Sequence, residues 1–166
     1  MPNISLDMIN KKKEAFKAKI SMYAWASAAG AAMPVPGLSV AVDGSLLVVA
    51  VNQYKTGFGL DRSSLMRLAD STGVSLEDLT AVISSPLALN MINIQFLLRL
   101  LSQSATVVAL MAAEEGLSFI PILGTMVAAT ISYKVTEKAL ESFLDMLAED
   151  AQNVFKRALG GLNTSV

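Results

Sequence analysis

The chain has 166 residues, no histidine, no cysteine, only 16% charged residues and a formal net charge of −1. This composition excludes His-based acid–base chemistry, thiol nucleophiles, disulfides and zinc sites built on N or S ligands, and it offers no global electrostatic attraction for nucleic acid. A hydrophobic fraction of 53% and a mean hydropathy of +0.51 call instead for a large buried core, or for apolar surface shown to a membrane or partner.

In chain order, Ser5 is placed to cap a first helix running to about Ala31, with Ile9, Phe16, Ile20 and Tyr23 on one face at spacings of seven, four and three. Lys11, Lys12, Lys13, Lys17 and Lys19 decorate its first half. A second helix, from about Ser39 to Thr56, is apolar nearly all round and is expected to be central; Gly57-Phe58-Gly59 breaks it. Asp61 caps a short third helix, Arg62 to Ser71, which Gly73 stops. Ser75-Leu76-Glu77-Asp78 resembles a capping box and opens a fourth helix that ends before Pro86.

A fifth helix is expected over about Leu89 to Glu115, with Asn90 and Asn93 among its polar interruptions, and Gly116 ends it. A sixth spans about Leu123 to Glu137. The seventh, about Ala139 to Leu159, carries a stripe of Leu140, Phe143, Leu144, Leu147, Ala151, Val154, Phe155 and Ala158, with Lys156-Arg157 in its last turn and Gly160-Gly161 as its stop. No strand pattern is present. The fold class is therefore all-α, a single domain over 1–166 made of about seven helices arranged as helical hairpins.

Two stretches set that hairpin arrangement. Pro34-Val35-Pro36-Gly37 and Pro121-Ile122-Leu123-Gly124 share the pattern Pro-x-x-Gly, each between two long apolar segments. Proline ends the incoming helix and glycine lets two backbones approach closely. Pro34, Gly37, Pro121 and Gly124 accordingly read as hairpin tips. The same breaks argue against transmembrane spans. Met33–Val51 contains Asp43 and Gly44, and Leu117–Tyr133 contains Pro121 and Gly124, so neither supplies the ~20 uninterrupted apolar residues a bilayer requires.

Candidate chemistry is sparse. Lys55-Thr56-Gly57-Phe58-Gly59 lacks the spacing of a phosphate-binding loop and reads as a helix terminator, so the chain alone is expected not to bind GTP. No catalytic, cofactor-binding or metal-ligating residue stands out. The lysine run has two readings: a solvated face on a core helix, or a surface that meets anionic phospholipid. Glu114-Glu115 at a helix end read as solvated, or as partners for Lys134 or Lys138. The nine methionines read mostly as adaptable core packing, with a promiscuous binding groove near Met111 and Met126 as the alternative. An N-terminus of Met1-Pro2-Asn3-Ile4 lacks the order of a signal peptide.

Several stretches carry a resemblance: Met1-Pro2-Asn3-Ile4-Ser5-Leu6 ahead of the lysines, Pro34 to Asp43, Phe58-Gly59-Leu60-Asp61, Leu68 to Val74, Ser85-Pro86-Leu87, Phe119-Ile120-Pro121 and Leu147 to Ala151. In this order they resemble the helical region that follows the G domain in the immunity-related, interferon-inducible GTPases. The resemblance implies a GTP-binding family of cell-autonomous innate immunity, with the nucleotide site, its GTP and its Mg in a G domain that this chain lacks. By the same resemblance a start Met at this point implies a truncated gene model or expressed fragment. The expected partners are that G domain, intracellular membranes bound peripherally from the cytoplasm, and homologous GTPases, with no nucleic acid. The alternative is a stand-alone membrane-active protein of helical hairpins. An independent enzyme has no support in the residues.

Overall fold

The computed structural model describes residues 2–31, 38–103 and 133–163, and all the regular structure among them is helical. Seven helices appear among these described residues: α1 (Pro2–Ala31), α2 (Leu38–Gly57), α3 (Arg62–Thr72), α4 (Leu76–Ala81), α5 (Pro86–Leu89), α6 (Ile94–Gln103) and α7 (Tyr133–Asn163). The expected all-α class holds. Pro34, Gly37, Pro121 and Gly124, with Glu114 and Glu115, lie outside the described residues, so the hairpin-tip expectation falls there too.

The chain divides into two compact units. One comprises Met1–Lys17, Asn52–Met91 and Phe143–Val166; its core includes Tyr54, Leu60, Leu79, Leu87, Leu144 and Leu147. The other comprises Ala18–Val51 and Ile92–Ser142, with Ile20, Leu47, Val51, Leu97 and Leu140 buried.

Local chemistry explains most boundaries. α1 begins at Pro2, ahead of the expected Ser5 cap, because proline is well suited to the first helical position, where its missing N–H has no partner to lose. α2 ends in a glycine stop: Gly59 has φ +73°, its N–H donates to Thr56 O at 3.0 Å, and the Leu60 N–H donates to Lys55 O at 3.0 Å. Its buried side is narrower than expected. Leu47, Ala50, Val51 and Tyr54 are buried, but Val49 is 47% exposed and Asn52 and Gln53 face outward.

α3 starts at Asp61, which accepts the Ser64 N–H at 3.1 Å, and ends at Gly73 with φ +70°. Ser75 Oγ accepts the Asp78 N–H at 3.0 Å. The reciprocal half of the capping box is altered: the Asp78 carboxylate accepts from the Ser75 hydroxyl at 2.9 Å, since aspartate is one methylene shorter than the usual glutamate.

Three expected boundaries are corrected. Pro86 opens a helix as well as closing off the one before it, because Ser85 caps α5 through Ala88 N–H at 3.3 Å and Pro86 occupies its first turn. Asn93 is a cap and not a mid-helix interruption: its Oδ1 accepts the Phe96 N–H at 2.9 Å and α6 begins at Ile94. α7 runs unbroken from Tyr133 to Asn163, merging the expected seventh helix with the end of the sixth. Lys156-Arg157 are consequently not in its last turn, and Gly160-Gly161 do not stop it.

The stripe expected on α7 is buried at Leu140, Phe143, Leu144, Leu147, Ala151, Val154 and Ala158, whereas Phe155, also placed in it, is only half-buried. Gly161 has a packing role instead. A Cβ there would fall on Cγ2 of Val74 in the α3–α4 turn, whereas one at Gly160 would meet open space. Gly160→Ala is therefore expected to raise stability by about 0.5–1 kcal/mol through helix propensity. Gly161→Ala should lower it by about 1–2 kcal/mol through overpacking against a stiff β-branched side chain. Urea midpoints of the two variants check this, and equal stabilisation by both would show that Val74 does not need the glycine.

The methionines also depart from expectation. Met8, Met22, Met66, Met91 and Met146 are all exposed, Met91 at 88%, so the described methionines lie on the surface and not in the core.

Candidate functional site

The lysine run of α1 is the site the sequence singles out, and the structure distributes it around the helix. Lys11 pairs with Asp7 one turn earlier at 2.9 Å, both side chains largely exposed. That hydrogen bond, with the attraction of the charge, holds the Lys11 ammonium above its ordinary value. Lys12 Nζ donates to the Gly57 carbonyl, the last of α2, at 2.8 Å. Cations at a helix C-terminus satisfy carbonyls that the helix leaves open.

Lys13 reaches Asp145 of α7 at 2.8 Å with its own side chain one-third exposed. Lys17 and Lys19 are exposed and have no ion pair among the described residues. The five lysines thus form no single pocket. Two of them fasten α1 to α2 and α7, and the others face solvent.

A second polar site was not anticipated from the sequence. Asp150 on α7 is fully buried. Its Oδ1 accepts from the Ser84 N–H at 2.8 Å and the Ser84 hydroxyl at 3.0 Å, and its Oδ2 accepts from the Ser85 N–H at 3.1 Å. A buried carboxylate is tolerable only when such donors replace its water. The clamp holds the turn that starts α5. Its signal was present in the sequence: Asp150 falls between Leu147 and Val154 at helical spacing, a charge inside an otherwise apolar stripe.

Other polar contacts are peripheral. Arg157 donates to Asp78 at 2.9 Å. This bond, with that from the Ser75 hydroxyl, keeps the Asp78 carboxyl below its ordinary value. Burial pushes the Asp61 carboxyl up, but hydrogen bonds from Ser63 and Ser64 outweigh it and leave the group lowered. Lys55, whose ammonium burial pushes down, donates to the Asn90 carbonyl at 3.0 Å. Lys138 pairs with Glu141 at 2.6 Å on its own helix. Among the described residues no helix is long and apolar enough to cross a membrane.

This arrangement is one of helix fastening and surface charge, and comparison with known proteins supplies its context. A family model described as Interferon-inducible GTPase (IIGP) matches residues 1–158. The chain belongs to the interferon-inducible GTPase family. It is 40% identical to Interferon-inducible GTPase 5 of Rattus norvegicus over 161 residues, covering 96% of this chain and 34% of that protein. The corresponding protein of Bos taurus gives the same identity and coverage. Interferon-inducible GTPase 1 of Mus musculus is 33% identical over 88 residues, 52% of this chain and 21% of that protein. The chain thus spans about a third of the length of the interferon-inducible GTPases it matches most fully. No solved structure gives a significant match.

Proposed function

We propose that this chain is the helical region of an interferon-inducible GTPase that binds anionic intracellular membranes peripherally and answers to a G domain, without a nucleotide site of its own. The observation that carries this reading is the family match over residues 1–158, in a chain whose described residues offer helices and surface lysines. Gly57-Phe58-Gly59, the glycine pair weighed against a phosphate loop, ends α2 as a helix stop. Lysines near an anionic surface contribute about 1 kcal/mol each. Lys11, Lys17 and Lys19 are exposed, and none fastens α1 to another helix through a hydrogen bond or ion pair among the described residues.

Flotation with phosphatidylserine-containing vesicles tests the proposal. The triple variant Lys11→Gln, Lys17→Gln, Lys19→Gln should lose about 3 kcal/mol of binding, on the order of a hundredfold, at unchanged helicity. Added salt should weaken the wild type in the same direction. Equal flotation of wild type and variant would remove the lysines from the mechanism. Bound protein that resists alkaline carbonate would favour the stand-alone, inserting alternative.

A further inference from the structure

Ser85 is the only serine or threonine of the chain that precedes a proline, since the five prolines follow Met1, Met33, Val35, Ser85 and Ile120. A residue ahead of proline is steered out of the helical region, and Ser85 is extended, with φ −80° and ψ 136°. Ser-Pro in extended backbone is the minimal sequence that proline-directed protein kinases accept. Here the dipeptide lies at the surface with its serine hidden. Ser84 and Pro86 are exposed, whereas Ser85 is only 5% exposed and its Oγ accepts the Ala88 N–H at 3.3 Å.

The Asp150 clamp does the hiding. Among the described residues, the hydrogen bonds that tie Ser84 and Ser85 to α7 all end on the Asp150 carboxylate. These residues belong to one compact unit, and Asp150 has no ion pair among the described residues. A phosphate on Ser85 would therefore meet a buried carboxylate with no ion-paired cation beside it, and like charges in a dry site repel strongly. The four residues of α5 offer little helix dipole to offset that. Once modified, the segment cannot close again.

We propose that Ser85 is a concealed site for a proline-directed kinase, reached when the Asp150 clamp opens and holding the clamp open once phosphorylated. The γ-phosphoryl group of ATP passes to Ser85 Oγ. Its bond to the bridging oxygen of ADP breaks, a P–O bond to Oγ forms, and the hydroxyl proton leaves to the kinase's catalytic base. Opening of the segment around Ser85 suffices, without unfolding of the rest. It frees α5, whose Leu87 and Ala88 are buried in the closed form. The Lys55 hydrogen bond to the Asn90 carbonyl at 3.0 Å holds the far end of the segment and keeps the opening local.

The test incubates the purified full chain with a mitogen-activated protein kinase, ATP and Mg, and locates incorporated phosphate by mass spectrometry. Phosphate should appear slowly on the wild type at Ser85, and Ser85→Ala should take up none. Where opening and closing are fast, the rate follows the open population. Ser84→Ala removes one clamp donor at an exposed position and should speed incorporation about fivefold. Asp150→Ala should speed it further. Phe16→Ala weakens the unit at a distance from the clamp and should change the rate far less. Equal acceleration by Phe16→Ala and Asp150→Ala would overturn the local latch, because global unfolding would then be the route to the serine. A wild type as fast as Asp150→Ala would show that nothing is concealed.

Hydrogen exchange reads the lock. In the phosphorylated chain the Ser84, Ser85 and Ala88 N–H groups should exchange about tenfold faster or more, with the α3 amides still protected. Unchanged exchange would overturn the proposal, as would a folded wild type that takes up no phosphate at Ser85. No lipid enters the test, so its outcome is separate from that of the membrane proposal.

Discussion

Asp150→Ala is expected to remove about 3 kcal/mol of folding stability, lowering Tm by roughly 6–12 °C. The carboxylate is fully buried and serves three donors: two backbone N–H groups and one hydroxyl, from Ser84 and Ser85. Truncation leaves the Ser84 and Ser85 N–H groups without their acceptor, and an unsatisfied buried donor costs about 1–3 kcal/mol. The alanine also opens a small cavity beside Leu147 and Val154, adding to the loss.

Asp150→Asn separates charge from shape. It keeps the volume and one acceptor oxygen but turns an NH2 toward a site that already holds only donors, so most of the loss should persist. Thermal unfolding followed by circular dichroism measures both variants. A shift of Tm below about 2 °C for Asp150→Ala would mean that water replaces the carboxylate at no cost, and the clamp would then have no structural weight.

The second large effect is expected where α1 crosses the end of α2. The Phe16 ring lies 5.0 Å from Tyr54 and 5.5 Å from Phe58, tilted in one case and edge-on in the other. Its tip sits where a side chain at Gly57 would be: a Cβ there would fall on Phe16 Cζ and lie 2.8 Å from Cε2. Phe16→Ala should cost about 3 kcal/mol, the lower end for an aromatic because the ring is half-buried.

Gly57→Ala should cost about 1–2 kcal/mol, since overpacking outweighs the helix-propensity gain at the last residue of α2. Once Phe16 is alanine the added methyl has room. The double variant should then be no less stable than Phe16→Ala alone, a coupling of about 1–2 kcal/mol in a double-mutant cycle. Additive losses would show that the ring moves aside freely and that glycine is not required for the crossing.

These two sites mark where local pattern stops being informative. Gly73, Asp61 and Ser75 were legible because a cap is decided within four residues, by a side-chain oxygen and the nearest free N–H. The α7 stripe was legible because helical periodicity alone sorts apolar from polar positions. Asn93 and Pro86 were misplaced because the same residue types interrupt one helix or begin the next, and only the path of the chain chooses. Gly160-Gly161 was read as a stop for a similar reason: glycine's low helix propensity argues for an end, but the long apolar face of α7 continues the helix and the missing Cβ admits Val74.

Of the candidate surface, the lysines of α1 are written in the sequence, but their division of labour is not. Lys12 and Lys13 are indistinguishable from Lys11, Lys17 and Lys19 by type. The Gly57 carbonyl and Asp145, which distinguish them, lie 45 and 132 residues away in the chain.

The sequence by itself determined that this protein is helical, without histidine or thiol chemistry, and a member of a recognisable family. Those properties follow from composition, periodicity and residue order, which are local or cumulative. Only the tertiary structure decided that Asp150 is a buried clamp on α5, that Gly57 and Gly161 are points of close approach, and that the methionines of α1 face outward. Each of these depends on which distant segment arrives at a given side chain, and burial, clash and hydrogen-bond satisfaction exist only once it has arrived.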